Sequence, residues 1–281
     1  MFEPTEALID LTVDKLRADY CAAHASCDSS YPDTLATVGR TVLEKISASD
    51  ALYHNVNHTI LVTLLGQEIL VGKQLLGDTV SAKAWLDFLV SLLCHDVGFV
   101  SNLLREDGNG NYASGVDGET FTLPLESTDA ALGPYHVDRS ILFVHEQFAG
   151  HALLDSDQIA LNIERTRFPV PDDEASQRTD DAPGLARAAD LLAQAAEPHP
   201  RRRYPALFSE FEETGINGKL GYSSPRDILL DFPRFFSSVL SRYCVDGVKF
   251  LKATEQGRLW LANVEQHLAT AQEAVGASPS G

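Results

Sequence analysis

Two short segments contain the residue types that proteins use most often for metal binding and proton transfer. The first, Tyr53-His54-Asn55-Val56-Asn57-His58-Thr59, places two histidines four residues apart, which on a helix would share one face. The second, Cys94-His95-Asp96-Val97-Gly98, ends an apolar run with a neighbouring histidine and aspartate. A buried ionised carboxylate is costly unless it is paired or bound to metal. The second segment is therefore either a hydrogen-bonded pair within the core or part of a metal site. The first segment is either a solvated helix face or part of the same metal site.

The elements that must position these side chains are helices. Apolar residues recur at helical spacing over Ala51–Leu76 and Ala82–Val97, and Gly98 is well placed to end the second helix. A helix over 184–196 carries Asp190, which interrupts a run of alanines and leucines and, by composition alone, is typical of a surface or ion-paired aspartate. The remaining predicted helices span 5–24, 33–47, 140–151, 155–164, 204–213, 225–241 and 243–272.

One segment breaks the helical pattern. Residues 109–124 contain Asp117-Gly118, a hairpin turn signal, between Tyr112 and Phe121. We predict a small β-hairpin here, and we expect it to flank or cover the mouth of the site because it follows Asp96 so closely. The acidic, proline-bounded residues 171–183 predict a loop. The chain is therefore expected to form one all-α domain over 1–275, followed by a disordered tail over 276–281.

Taken in order, the segments resemble the signature of the HD superfamily of metal-dependent phosphohydrolases, which is a histidine, a later His-Asp pair and a lone aspartate much further on. In this sequence they are His58, His95-Asp96 and Asp190. YHNVNHT is similar to the YHNxxH segment of cyclic nucleotide phosphodiesterases, and LLCHDVGF is similar to their HD segment. Over about residues 50–260 the sequence also resembles a bacterial branch of HD phosphohydrolases. The segments that carry this resemblance are GPYHVDRSILFV, TRFPVP, ARAADLLAQ, LFSEFEETGIN and GYSSPRD.

The resemblance implies an HD-domain helical bundle with one or two divalent ions at its centre. The implied ligands are His58, His95, Asp96 and Asp190. Two imidazoles and two carboxylates suit zinc, manganese, iron or nickel, and magnesium is an alternative at a second site. Asp96 can bridge two ions because a carboxylate has two oxygens. The expected reaction is hydrolysis of a small phosphodiester or phosphomonoester, such as a cyclic or linear nucleotide, by a metal-activated water.

The resemblance also implies roles for residues around these ligands. His54 is the expected general acid. His54 and Asp96 are the two predicted catalytic residues. Tyr53 and Asn55 are expected to orient water or ligand side chains. His136 is a candidate ligand of a second metal or of substrate, because related enzymes draw extra histidines from the stretch after the His-Asp pair. The alternative for His136 is a loop histidine packed beneath Tyr135.

Arginines are the candidate phosphate ligands, because guanidinium groups match phosphate oxygens. Arg139 leads this group, and Arg165, Arg167 and Arg187 are weaker candidates. The basic run 201–203 is expected to pair with the acidic residues of 171–181 or with Glu210, Glu212 and Glu213.

Two departures from the phosphodiesterases keep the substrate open. Asp96 is followed by Val97-Gly98-Phe99-Val100-Ser101, without the further histidine that the phosphodiesterase segment normally has. The C-terminal third shows no clear glutamine-plus-aromatic nucleotide pocket. One alternative is an HD-type di-iron oxygenase that cleaves C–C or C–P bonds, for which His136, His145 and His151 would be the spare histidines. Another is a non-catalytic, ligand-binding regulator built on the same scaffold.

Composition narrows the partners. The formal charge of −18 argues against nucleic acid as substrate or partner. The sequence has no apolar run of the ~18 residues needed to cross a bilayer and no signal peptide at its start, so a cytoplasmic protein without membrane contact is expected. The four cysteines lack paired spacing and predict free thiols. The expected partner is a small phosphorylated substrate, with a homodimer left open.

Overall fold

The computed structural model of the 281-residue chain describes residues 3–24 and 28–277. Cys27 and most of the predicted tail, residues 278–281, lie outside these ranges. Cys21, Cys94 and Cys244 are free thiols. None of the helices in the described ranges has the length and apolarity needed to cross a membrane.

The architecture is all-α with one small hairpin, as the sequence predicts. Two strands, β1 (Asn111–Ala113) and β2 (Thr120–Thr122), form the hairpin. Short 3₁₀-helices occupy Val97–Phe99 and Asp129–Tyr135, and a π-helical turn occupies Phe236–Leu240. The α-helices are α1 (Pro4–Ala23), α2 (Ser30–Ser47), α3 (Val56–Leu75), α4 (Ala82–Cys94), α5 (His136–Phe148), α6 (Ser156–Glu164), α7 (Glu174–Gln177), α8 (Ala182–Ala196), α9 (Pro200–Glu213), α10 (Ile216–Leu220), α11 (Pro225–Phe235), α12 (Ser241–Tyr243), α13 (Val245–Leu251) and α14 (Glu255–Gly276).

Helices α3, α4, α6 and α8 pack against one another and form the centre of the bundle. Leu65 of α3, Phe88 of α4 and Ala189 of α8 are almost completely buried there. A Cβ atom on Gly66 would lie 2.1 Å from Cδ1 of Leu92, so a glycine is needed for α3 to approach α4 this closely. Each buried leucine contributes about 1.5–3 kcal/mol through removal of its surface from water. The helices that carry the candidate ligands are therefore fixed by the main core of the protein.

The hairpin matches its prediction in place and in turn chemistry. Tyr112 pairs with Phe121 across the two antiparallel strands. Asp117 and Gly118 both have positive φ angles, of 50° and 72°, as a tight hairpin turn between such strands requires. Phe121 also stacks on Tyr135, with ring centroids 3.9 Å apart, so the hairpin packs against the start of α5.

Several helix boundaries differ from the predictions, and one of them changes the site. Helix α3 begins at Val56, because the side chain of Asn55 accepts hydrogen bonds from the backbone N–H groups of Asn57 and His58 and so caps the helix. His54 therefore precedes the helix, and the expectation that His54 and His58 share a helix face is wrong. The predicted loop over 171–183 contains the single turn α7, and the helix predicted over 243–272 is broken into α13 and α14.

Arg139 connects the hairpin to the chain that follows α4. Its side chain is fully buried, as is that of Asp107, with which it forms two hydrogen bonds of 2.9 and 3.1 Å. The guanidinium also donates to the carbonyls of Gly98, Val100 and Ala113. All five of its N–H groups are thus used inside the protein. The suggestion that Arg139 binds substrate phosphate is therefore replaced by a structural role.

We expect Arg139→Met to lower the free energy of unfolding by about 3–5 kcal/mol, because it leaves the carboxylate of Asp107 buried without its partner. Urea titration followed by circular dichroism measures this loss. Arg105→Met, at an exposed position of the same segment, is the control and should stay within about 0.5 kcal/mol of wild type. Equal unfolding midpoints for the two variants would contradict the structural role.

Candidate metal centre

Three helices bring the predicted ligands together at the centre of the bundle. Nε2 of His58 lies 3.3 Å from Oδ1 of Asp190 and 3.4 Å from Oδ2 of Asp96. Nε2 of His95 lies 3.1 Å from Oδ2 of Asp96 and 3.8 Å from Oδ1 of Asp190. One ligand atom each from His58, His95 and Asp190 can be chosen so that all lie within 4.8 Å of one another. This cluster could hold a metal ion.

Local structure explains why these side chains converge. His58 is in the first turn of α3, where the Asn55 cap fixes the start of the helix. Helix α4 ends at Cys94, so His95 and Asp96 occupy the turn that follows it. The hydroxyl of Ser140 on α5 donates to the carbonyl of His95 and holds this turn in place. Asp190 lies on α8, whose neighbouring side chains are almost all buried.

Two buried polar atoms in the cluster lack a hydrogen-bond partner among the described residues. They are Nε2 of His95 and Oδ2 of Asp96. The other ring nitrogen of His95, Nδ1, lies 2.7 Å from the carbonyl oxygen of Leu92, which can only accept, so Nδ1 carries the proton. Nε2 faces the two carboxylates, and without a cation they favour a second proton on it. Because metal binding displaces such protons from its ligands, a cation bound here would take the place of that proton.

The electrostatics of the cluster agree with this arrangement. Burial alone would raise the pKa of Asp190, but the nearby imidazoles of His58 and His95 lower it below its ordinary range. The pKa of Asp96 is lowered well below its usual value in the same way, chiefly by His95 against the effect of burial. Burial opposes charge on His95, yet Asp96 and Asp190 outweigh it and raise the pKa of His95 well above its ordinary value. Both carboxylates are therefore ionised and attract positive charge to this point.

His136 faces the other oxygen of Asp96. Its Nε2 lies 3.8 Å from Oδ1 of Asp96, while its Nδ1 lies 2.5 Å from the carbonyl oxygen of Gly133. The carbonyl fixes the proton on Nδ1, so the nitrogen that faces Asp96 is the one free to bind a ligand. The close approach depends on Gly98, where a Cβ atom would lie 2.0 Å from the carbonyl oxygen of His136. The structure thus places His136 beside the cluster.

His54 lies at the edge of the same cluster and is held by a residue distant in sequence. Its Nδ1 lies 2.5 Å from Oε2 of Glu210, and its backbone N–H donates to Oε1 of the same side chain. Burial lowers the pKa of His54, but Glu210 outweighs that effect and raises it. The imidazole also stacks on Phe99 at a centroid distance of 4.4 Å, and the ring of His136 stacks on Phe99 at 4.5 Å.

The cluster opens to solvent on one side. The side chains of His54, His136 and Asp190 are 21 to 24% exposed. Those of His58, His95 and Asp96 are at most 5% exposed. A small molecule would therefore reach the ligands from the side occupied by the more exposed residues.

The remaining predicted site residues fall into two groups. Tyr53 is buried beside the cluster, with its ring centroid 5.0 Å from that of His58. Asn55 uses its amide to cap α3 and to donate to the carbonyl of Leu52, so it positions His58 from outside. His145 and His151 lie apart from the cluster. The side chain of His145 is 41% exposed and 3.9 Å from Asp157, and His151 accepts hydrogen bonds from two nearby backbone N–H groups.

Glu210 is the residue that sequence reasoning placed least well. It belongs to the run Glu210-Phe211-Glu212-Glu213, which by default indicates a solvated helix face. In the structure Glu210 is only 4% exposed. Its position could have been found from the buried stripe of α9, since it follows the buried Leu207 at helical spacing.

The fold and the cluster define an all-α protein with a His/Asp site that could hold a metal ion. The chain belongs to the Npun_R2479-like family, whose model matches residues 2–274. No curated protein matches the sequence. The HD resemblance therefore stays a prediction that rests on the sequence segments quoted for it.

Proposed function

We propose that the protein is a metal-dependent phosphohydrolase that acts on a small phosphate ester. The observation that carries the proposal is the position of Asp96 between two sets of side chains. Its Oδ2 faces His58 and His95, and its Oδ1 faces His136. This arrangement suits a carboxylate that is shared between two cation positions.

The side chains present fit divalent transition metals. His58, His95, Asp96 and Asp190 would hold the first ion, and His136 would join Asp96 at a second. Two imidazoles with carboxylates are the donors preferred by zinc, manganese, iron and nickel. When bound, such ions lower the pKa of water into the neutral range and offset the charge of phosphoryl oxygens.

His54 is suited to donate a proton to the leaving oxygen. Glu210 holds Nδ1 of His54, which leaves Nε2 available on the other side of the ring. The same carboxylate raises the pKa of His54 and so favours the charged form of the imidazole, which is the form that donates a proton. Phe99 fixes the plane of the ring by stacking on it. Glu210 is thus a positioning residue for His54.

The oxygenase alternative has weaker support. It needs a richer histidine set, and of the three spare histidines only His136 lies beside the cluster. His145 instead lies near Asp157, and His151 accepts a hydrogen bond from the backbone N–H of Leu154. A purely regulatory role would not require the His54–Glu210 pair at the open side of the site.

The proposal is tested with bis-p-nitrophenyl phosphate and the purified full-length chain under argon. We expect manganese-dependent hydrolysis that a chelator stops and added manganese restores. His145→Asn, at an exposed position outside the cluster, should retain wild-type turnover. Turnover that requires both iron and dioxygen would contradict the proposal, as would a metal-loaded protein that is inert towards a panel of phosphodiesters and phosphomonoesters.

A further inference from the structure

Arg203 is a buried cation that packs over the ring of Tyr204, 4.8 Å from its centroid, and has no hydrogen-bond acceptor among the described residues. The residue is only 3% exposed, and its Nη1 has no hydrogen-bond partner among the described residues. Arg203 forms none of the ion pairs with Glu210, Glu212 or Glu213 that the sequence predicts for the run 201–203. A guanidinium keeps its charge at any ordinary pH, so burial without an acceptor is unfavourable unless a ligand supplies one.

The other arginines considered as phosphate ligands are paired within the protein. Arg139 uses all its N–H groups, as described above. Arg167 forms ion pairs with Asp138 and Glu164, and Arg187 donates to the carbonyls of Ser176 and Arg178. Arg165 lies 3.7 Å from Asp181. Among these buried or half-buried arginines of the described ranges, Arg203 is the one left without a hydrogen bond or ion pair.

Arg203 lies on the same buried face of α9 as Glu210, which contacts the edge of the candidate metal centre. Arg203, Leu207 and Glu210 follow one another at i, i+4 and i+7, and all three are buried, so they share one face of α9. Glu210 on this face accepts hydrogen bonds from the backbone of Tyr53 and His54. Arg203 lies two turns away, roughly 10 Å along the helix axis.

A second unpartnered polar group lies in the same region. The hydroxyl of Tyr53 is buried and has no hydrogen-bond partner among the described residues. Burial raises the pKa of Tyr53 well above its ordinary value, and the charge of Arg203 opposes that rise. Burial also raises the pKa of Glu197, again against the charge of Arg203, although Glu197 forms no ion pair with it. The Tyr53 hydroxyl is thus an unpaired donor beside the cluster, because its ring packs on His58, and Arg203 lies near enough for its charge to act on Tyr53.

We propose that Arg203 and the hydroxyl of Tyr53 bind an anionic group of the substrate, a phosphate or a carboxylate, beside the metal centre. The inference rests on the proposed function for one point only, namely that the substrate's reacting phosphate ester lies at the metal while its second anionic group lies at Arg203 and Tyr53. It defines the substrate class as a small phosphate ester with a second anionic group. Nη1 of Arg203 supplies charged N–H donors, and Tyr53 supplies one O–H donor.

The test is isothermal titration calorimetry of the full-length protein with inorganic phosphate, before and after dialysis against a chelator. We expect Arg203→Gln to weaken phosphate binding roughly 10–100-fold in the dialysed protein, as the loss of charge-assisted hydrogen bonds predicts. The matched control is Arg202→Gln, which removes the same charge from the exposed neighbouring position and should bind like wild type. Equal affinities for the two variants would overturn the inference.

A second variant covers the case in which Arg203→Gln fails to fold. Tyr53→Phe removes only the hydroxyl and should weaken phosphate binding severalfold, and wild-type affinity in this variant would count against the inference. The outcomes separate the two proposals. A protein without bound metal or hydrolytic activity whose phosphate binding depends on Arg203 would refute the proposed function and support the anion site. An active metalloenzyme whose phosphate affinity does not depend on Arg203 would support the proposed function and refute the anion site.

Discussion

Asp190→Asn is expected to abolish stable metal retention and, with it, hydrolysis. The substitution keeps the shape of the side chain but removes the charge on the oxygen that faces both His58 and His95, at 3.3 and 3.8 Å. Changes in residues that only support a ligand already cost about 10–100-fold in metal affinity, so loss of a direct ligand should cost at least about 100-fold. Elemental analysis of the purified protein and competition with a chromogenic chelator measure the effect.

The control for this variant is Asp157→Asn, which removes a carboxylate that is 88% exposed and distant from the cluster. It should keep wild-type metal content. Circular dichroism of both variants checks that the fold is retained. Wild-type metal content in folded Asp190→Asn would rule out the assignment of Asp190 as a ligand.

His54→Asn is expected to lower kcat by about 10²–10⁴-fold without loss of metal. His54 is not among the residues that surround the proposed ion, and its imidazole is held by Glu210 at the open side of the site. The loss should depend on the leaving group. Esters with an alkoxide leaving group need a proton, whereas p-nitrophenolate leaves without one, so the alkyl ester should lose much more activity than the p-nitrophenyl ester.

Glu210→Gln is the companion variant for His54. It should reduce kcat in the same direction but by less, because the imidazole stays in place while the carboxylate that favours its charged form is gone. An equal loss of kcat for alkyl and p-nitrophenyl esters in His54→Asn would contradict the proton-donor role. Loss of metal from that variant would contradict it as well.

The sequence was most informative where a local pattern determines the structure. The helical periodicity of residues 82–94 predicts α4, and Asp117-Gly118 predicts the hairpin turn, because both depend on interactions between near neighbours. The proximity of His58, His95 and Asp190 followed from the family resemblance. Composition alone predicts a surface or ion-paired aspartate at Asp190.

The sequence was least informative for charged side chains that the fold buries. Glu210 and Arg203 lie in the charged runs at the two ends of α9, and only the buried spacing around Leu207 distinguishes them from solvated neighbours. Arg139 resembles a phosphate ligand in sequence, whereas its role in joining the hairpin to the chain after α4 depends on contacts with residues 26 to 41 positions away. Such long-range pairings leave no periodic signal.

The most direct test of the candidate metal centre is anomalous X-ray diffraction from crystals of the full-length protein grown with manganese or zinc. A peak is expected about 2.0–2.2 Å from Nε2 of His58 and of His95, with a carboxylate oxygen of Asp190 completing the contacts. Absence of a peak between these side chains in metal-saturated crystals, with the imidazoles hydrogen-bonded directly to Asp96 and Asp190 instead, would contradict a metal-binding role for the cluster.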